Sequence, residues 1–377
     1  MFTITFLAHL KLHLQHFKRF AILPFIWDPK TQRVTYVTSD YVRFINKMQM
    51  ASHFLYVVLQ CVMILLSPYS STTKIIGLVF TCVYATGLGL RFSWDLDPVP
   101  MNLINSMIDY ECKLLKGTTY NKTIPDKMMS LVLYLVGATA ICLPVCCVLV
   151  LAKFPCAPPF VGSMLSYCKS GMDLPILIRI TVLIFEFVMF AQACISAAFY
   201  VNHVLFSGII CLWDYLRLLA DRQTNTVEQM DSSLKMYREF RIIEIINSLA
   251  CSKRLFPTCV TGFPAIQFSS FYVCLKLHEN ISWPAFGMFP MLYVDAVFLT
   301  IVIFTAASRV FKWSEDQLIE WKQNSLVITR KSRLRKTLNS LPSLKIRMGG
   351  NFVDTLTPLV IQDFCIRTSV SMLLLFQ

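Results

Sequence analysis

Apolar residues in this chain run together in long blocks separated by short polar breaks. Seven blocks approach or exceed the roughly 20 residues a helix needs to cross a bilayer: 48–67, 74–90, 128–152, 174–213, 255–277, 284–311 and 355–376. Pro68, Arg91, Pro125 and Lys153 punctuate the first three. The fourth is too long for one crossing and predicts a helix that projects beyond the membrane. In the polar stretch that follows, Val227, Met230, Leu234 and Tyr237 recur at helical spacing, and Asp231 and Lys235 form an i,i+4 pair. Trp313, Leu318, Trp321 and Leu326 mark a second charged helix after span six. Two readings follow: a helical bundle continuous with spans four and six, or solvated basic loops. The periodicity favours the bundle. The first twenty residues lack a basic start and a small-residue cleavage site, so they predict an amphipathic helix on the inner membrane surface, not a signal peptide.

The pattern therefore predicts an all-α membrane protein. A cytoplasmic N-terminal segment (1–47) precedes spans one to four (48–213). A cytoplasmic helical segment (214–254), spans five and six (255–311), a second cytoplasmic helical segment (312–354) and span seven (355–377) follow. Composition agrees: 55% of the 377 residues are hydrophobic and 15% charged, with mean hydropathy +0.57. Soluble domains carry about 25% charged residues.

The net charge of +13 would suggest nucleic acid in a soluble protein. Its distribution argues otherwise. Lys and Arg number 7 in 1–47, 5 in 91–127, 7 in 214–254 and 10 in 309–354, against 4 on the opposite side. Cytoplasmic loops collect such residues. The N-terminus is expected inside, the C-terminus outside, and the basic face against anionic lipid. That orientation, with no Asn-Pro dipeptide in the chain, disfavours the alternative of a G-protein-coupled receptor. A transporter would show internal repeats or broken spans, and none is evident.

Candidate chemistry is sparse. The cysteines form no pair of matched CxxC motifs, so no zinc site is expected, and no catalytic residues or cofactor site stand out. Cys156 and Cys168 share the expected outer loop after span three and are candidates for a disulfide, with two free thiols as the alternative. Asn280-Ile-Ser282 is a glycosylation sequon on the outer side; Asn121-Lys-Thr123 falls inside, where it would stay bare. His9, His13 and His16 read as a surface pattern.

Ionisable residues within spans are costly and mark candidate function. They are Arg179 and Glu186 in span four, Asp295 in span six, and Asp363 and Arg367 in span seven. Asp363, Arg367, Ser371 and Leu374 share one helix face, a candidate pore stripe with Leu374 as an apolar ring. The alternative is an Asp363–Arg367 pair that locks packing. Glu186 and Asp295 lie deeper and are candidates to meet across spans four and six. Phe80, Tyr84, Cys146, Phe185, Met189, Phe190, Phe289 and Tyr293 surround them in the outer halves, as ligand-pocket lining or as plain core.

The C-terminal block reads LNSLPSLKIRMGGNFVDTLTPLVIQDFCIRTSVSMLLLFQ. Its Leu-Pro-Ser-Leu-Lys-Ile turn, the break at Gly349–Gly350 and a short segment feeding the last span resemble the arthropod gustatory receptors and the related odorant receptors. Gustatory receptors commonly end in Thr-Tyr, five apolar residues and Gln-Phe. Here Thr368 and the apolar run are present, Ser369 replaces Tyr, and the final pair is reversed as Phe376–Gln377. The resemblance implies a nonselective cation channel gated by a small-molecule tastant or odorant, in the plasma membrane of sensory neurons. It also implies a homo- or heterotetramer of related subunits, with span seven lining the pore and ligand bound in the outer half of each subunit.

Epitope tags test the orientation. An N-terminal tag is expected to stain only after permeabilisation and a C-terminal tag on intact cells; N-terminal staining of intact cells would reverse the assignment.

Overall fold

The computed structural model describes residues 1–114, 124–169, 174–222, 226–281, 283–328 and 332–375. Among the described residues it is an all-α architecture with seven helices long and apolar enough to cross a membrane. They are Asp40–Leu66 (span one), Ser71–Arg91 (span two), Asp126–Lys153 (span three), Ile176–Ala220 (span four), Val227–Lys276 (span five), Met288–Gln323 (span six) and Thr357–Leu375 (span seven). The protein is a multi-pass membrane protein.

Span four runs on as one helix through Ala220, and span six reaches Ile328. Span five differs from the reading of hydropathy, which starts it near residue 255. The polar stretch and the apolar run after it form one helix of 50 residues. Hydropathy changes at Ser252–Arg254, but nothing there breaks the backbone. The chain passes through a wide π turn, Cys251–Leu255, just before Pro257, whose ring and missing N–H disturb a regular helix. Thr226 caps the start: its hydroxyl accepts the Gln229 N–H and the Gln229 side chain accepts the Thr226 N–H, both at 3.2 Å. Such a cap is worth about 1 kcal/mol. Span four has its own π turn, Tyr200–Phe206, buried throughout and packed against that of span five.

Small residues set the packing inside the membrane-length region. A Cβ on Gly87 of span two would lie 3.0 Å from the Ala193 Cβ of span four. One on Gly262 of span five would lie 2.3 Å from the Thr86 hydroxyl. Close approach of this kind is a main source of helix association in lipid, where the hydrophobic effect between helices is absent.

The N-terminal segment corrects an expectation. Phe2 and Phe6 of a π turn and Leu10 and Leu14 of the helix Leu7–Phe17 form an i,i+4 stripe that is buried in the protein rather than laid on lipid. His13 likewise packs its ring against Phe199 and His203 of span four, 5.7 and 5.5 Å between centroids, so it is not a surface residue of a free amphipathic helix. Glu111, in the helix Pro98–Leu114, anchors the segment. Its carboxyl accepts the N–H groups of Phe2 and Thr3 at 2.6 and 2.7 Å, the Thr3 hydroxyl at 2.6 Å and the Tyr215 hydroxyl at 2.7 Å.

Among the described residues, two small hairpins accompany the helices. Strands β1 (Phe25–Asp28) and β2 (Arg33–Tyr36) pair antiparallel with Phe25 opposite Tyr36. Strands β3 (Arg347–Met348) and β4 (Asn351–Phe352) flank Gly349, whose φ of +58° favours glycine. Span seven starts just beyond, capped by Asp354, which accepts the Thr357 hydroxyl at 2.6 Å and the Thr357 and Leu356 N–H groups. The Thr357 hydroxyl holds the Asp354 carboxyl below the usual carboxylate range, aided by those N–H groups.

Glu111→Ala orphans two backbone N–H groups and a buried hydroxyl, each at a cost of about 1–3 kcal/mol. Thermal unfolding of detergent-purified protein followed by size exclusion checks this. Glu111→Gln should lose less, and an unchanged midpoint for the alanine variant would refute the anchoring role.

Candidate functional site

Glu186 lies on span four, fully buried, at the end of the bundle that carries the loop between spans three and four. Its carboxyl accepts the Tyr56 hydroxyl of span one at 2.5 Å, the Tyr84 hydroxyl of span two at 3.1 Å and the Val161 N–H of that loop at 2.8 Å. A carboxyl without such donors is costly in a dry interior. The three donors come from segments far apart in sequence, so the group fixes two spans and a loop to span four at once.

The loop is itself closed. Cys156 and Cys168 are disulfide-bonded, with Cα atoms 5.6 Å apart. Val161 lies between them, so the bond restrains the segment that reaches Glu186. At the mouth of the bundle, Arg179 donates to the Ala152 carbonyl at the end of span three.

Aromatic rings extend the cluster. Tyr84 meets Tyr56 at 5.3 Å and Phe190 at 5.0 Å, and Phe185 stands edge-on to Tyr56 at 5.4 Å. Phe80 packs on Phe160 of the loop at 4.9 Å and on Phe289 of span six at 5.7 Å. Phe80, Tyr84, Phe185, Glu186, Phe190 and Phe289 thus fall into one neighbourhood, and Met189 is buried in the same core. A cavity of about 110 Å³ lies among spans two to six, lined in part by Val83, Gly87, Leu143 and Cys194.

Other candidates lie elsewhere. Glu186 takes its partners from spans one and two and the loop, whereas Asp295 faces Thr139 of span three, so the two carboxyls do not meet as anticipated. Tyr293 stacks near Phe271 of span five at 5.2 Å. Cys147, one residue on from Cys146, is the fully buried thiol neighbouring Glu186, and Cys146 is only half-buried. Tyr56, Cys147, Phe160 and Val161 were not legible as site residues. Span one contains no charged residue in its apolar run, and a backbone N–H from a loop leaves no mark in a sequence. Asn280 lies in the short turn His278–Asn280; Ser282 of its sequon, and the whole Asn121 sequon, lie outside the described residues.

Span seven buries only Ile361, Cys365 and Ser369, one stripe at i,i+4 spacing. Asp363, Arg367, Ser371 and Leu374 are exposed, with Asp363 and Leu374 opposite the buried stripe. Asp363 and Arg367 pair at 2.8 Å while remaining 59% and 79% exposed.

Comparison with solved structures places this architecture. The chain is similar to the insect olfactory receptor OR5 from Machilis hrabei, with TM-score 0.58 and 12% identity, covering 97% of both chains. It is also similar to that receptor in complex with eugenol, with TM-score 0.59 and 13% identity, covering 98% of this chain and 99% of that one. At such identity the likeness is one of fold. No protein-family model and no curated protein sequence matches the chain.

Glu186→Ala is expected to destabilise the purified protein by stranding two hydroxyls and an N–H, at about 1–3 kcal/mol each. Tyr84→Phe should cost no more than about 1.5 kcal/mol. Thermal midpoints compare the two; equal midpoints would remove Glu186 as the organising group.

Proposed function

We propose that the chain is a chemosensory receptor subunit of the insect olfactory and gustatory receptor superfamily, acting as a ligand-gated nonselective cation channel. The observation that carries this reading is the fold likeness to an insect olfactory receptor over nearly the whole of both chains. The complex of that receptor with eugenol supports a small organic molecule, a tastant or odorant, as the ligand class here. In this reading the N-terminus is cytoplasmic, the disulfide-closed loop is extracellular, and the chain resides in the plasma membrane. The Glu186 cluster then lies in the outer half, where Tyr84, Phe190 and Phe80 offer aromatic faces around one polar group.

The conduction path is assigned to span seven. A helix that buries one narrow stripe and exposes a charged pair cannot present that pair to hydrocarbon without a cost of several kcal/mol. Related subunits arranged around a common axis, as in a homo- or heterotetramer, supply water for that face. Asp363 attracts cations there, with Arg367 held against it, and Leu374 forms an apolar constriction that closes by dewetting.

Patch-clamp currents normalised to surface protein test this. Asp363→Asn is expected to lower conductance or cation preference, and Leu374→Ser to give current without ligand. Normal permeation and no basal leak in both variants, at normal surface levels, would remove span seven as the path.

A further inference from the structure

At the end of the bundle opposite the disulfide, a cavity of about 430 Å³ opens between the starts of spans one and the end of span two. Arg91, the last residue of span two, lines it and is only 4% exposed. A guanidinium stays charged in any protein environment. Yet among the described residues Arg91 has only two long hydrogen bonds, to the Asn46 carbonyl at 3.5 Å and the Gln49 side-chain oxygen at 3.3 Å, and both acceptors are neutral. Its Nη1 is buried with no partner among the described residues.

The carboxylates around the cavity are engaged elsewhere or stand apart from Arg91. Asp40 pairs with Arg43 at 3.4 Å, and Asp97 lies 3.7 Å from Arg254. Arg254 sits behind Tyr200, its guanidinium 4.9 Å from that ring, as a half-buried positive group already engaged by Asp97 and the Phe92 carbonyl. Asp95 also lines the cavity, and no ion pair between it and Arg91 occurs among the described residues. Lys47 is exposed at the cavity wall, and Trp94 and Phe44 stand exposed at its rim. Exposed aromatics beside Lys and Arg at a span end are typical of the headgroup level of a bilayer.

We propose that this cavity binds a phosphate ester, with the headgroup of an anionic inner-leaflet phospholipid as its source. The phosphate oxygens supply the acceptors that Arg91 Nη1 lacks, Lys47 approaches from the open side, and Trp94 lies against the glycerol backbone. Arg is suited to phosphate because its planar fork matches two oxygens. The inner-leaflet placement rests on the proposed orientation; the phosphate chemistry does not, and binding is read without channel activity.

Native mass spectrometry of the purified full chain, with thermal midpoints, tests it. The probes are short-chain phosphatidylinositol bisphosphate, phosphatidylserine and phosphatidylcholine, and free inositol trisphosphate. Phosphatidylinositol bisphosphate is expected to bind most tightly and to raise the midpoint. Arg91→Gln should weaken it about tenfold and Lys47→Ala about fivefold, with Lys235→Ala, far along the span-five helix, as the unaffected control. Inositol trisphosphate binding as tightly as the lipid would keep the phosphate site and assign it a soluble occupant. Equal binding of all three lipids, or an affinity unchanged by both Arg91→Gln and Lys47→Ala, overturns the proposal. If Arg91→Gln does not fold, Lys47→Ala combined with Arg43→Gln, both outside the buried core, decides in its place.

Discussion

A carboxyl group sealed inside this protein must take all its hydrogen bonds from the protein, and two such groups organise the chain. Glu186 draws donors from residues 56, 84 and 161, and Glu111 from residues 2, 3 and 215. Neither set is local in sequence. A satisfied buried carboxyl contributes little net stability relative to an apolar substitute, but removing its partners strands a polar group in low dielectric. The arrangement therefore acts on specificity. Alternative packings of the same apolar spans leave a carboxyl bare, and that penalty selects one packing. One knot sets spans one, two and four and the disulfide-closed loop at one end; the other sets the N-terminal segment into the helical extension at the opposite end.

Between the two knots the spans are held by fit. Gly87 admits Ala193, and Gly262 admits Thr86, so span two lies against spans four and five at distances that a methyl group would not allow. Beyond that region spans four and five each open into a π turn, and the two turns pack together. A π turn shifts the helical phase, which lets one continuous helix present its apolar face to one set of neighbours within the membrane-length part and another set beyond it. Gly208 follows directly in span four, where a Cβ would lie 2.5 Å from the Asn247 side chain. The junction between the two halves of the molecule is thus built from backbone geometry and small residues.

The apolar runs, the over-long fourth block and the helical spacing of Val227, Met230, Leu234 and Tyr237 were enough to read seven spans and helices extending from them. These signals are carried by many residues at once. What escaped was carried by few. Strands of four residues, such as β1 and β2, are too short for alternation to register. The continuity of span five was hidden because Ser252, Lys253 and Arg254 lower hydropathy without interrupting the helix. Glu111 sits in a loop region by hydropathy, and nothing in its neighbours marks it as the partner of residues a hundred positions away. At the site, helical phase read from one sequence chose Cys146 where Cys147 faces Glu186, a rotation of about 100°. In span seven the same arithmetic placed Asp363 and Leu374 on one face, and the stripe Ile361, Cys365, Ser369 lies opposite.

The two candidate regions are physically connected. Glu186 bonds Tyr84 on span two. Half a turn along, Thr86 fits against Gly262 of span five. Gln267, further along span five, donates to the Gln362 side chain of span seven at 3.1 Å, and Gln362 is next to Asp363. The links between helices are the Glu186–Tyr84 and Gln267–Gln362 hydrogen bonds and the Thr86–Gly262 close contact, joined along spans two and five. Under the proposed reading, a ligand that alters how Tyr84 meets Glu186 bears on span two, and span two cannot shift without moving span five. The Gln267–Gln362 bond joins two amides, each with a further buried atom unpaired among the described residues. Such a pair can exchange one hydrogen-bonded arrangement for another at small cost. Contiguity alone does not transmit a signal; an element with two discrete arrangements does. Under the proposed reading, this amide pair, between the helix that packs on the core and the helix that carries the exposed charges, is the candidate for such an element.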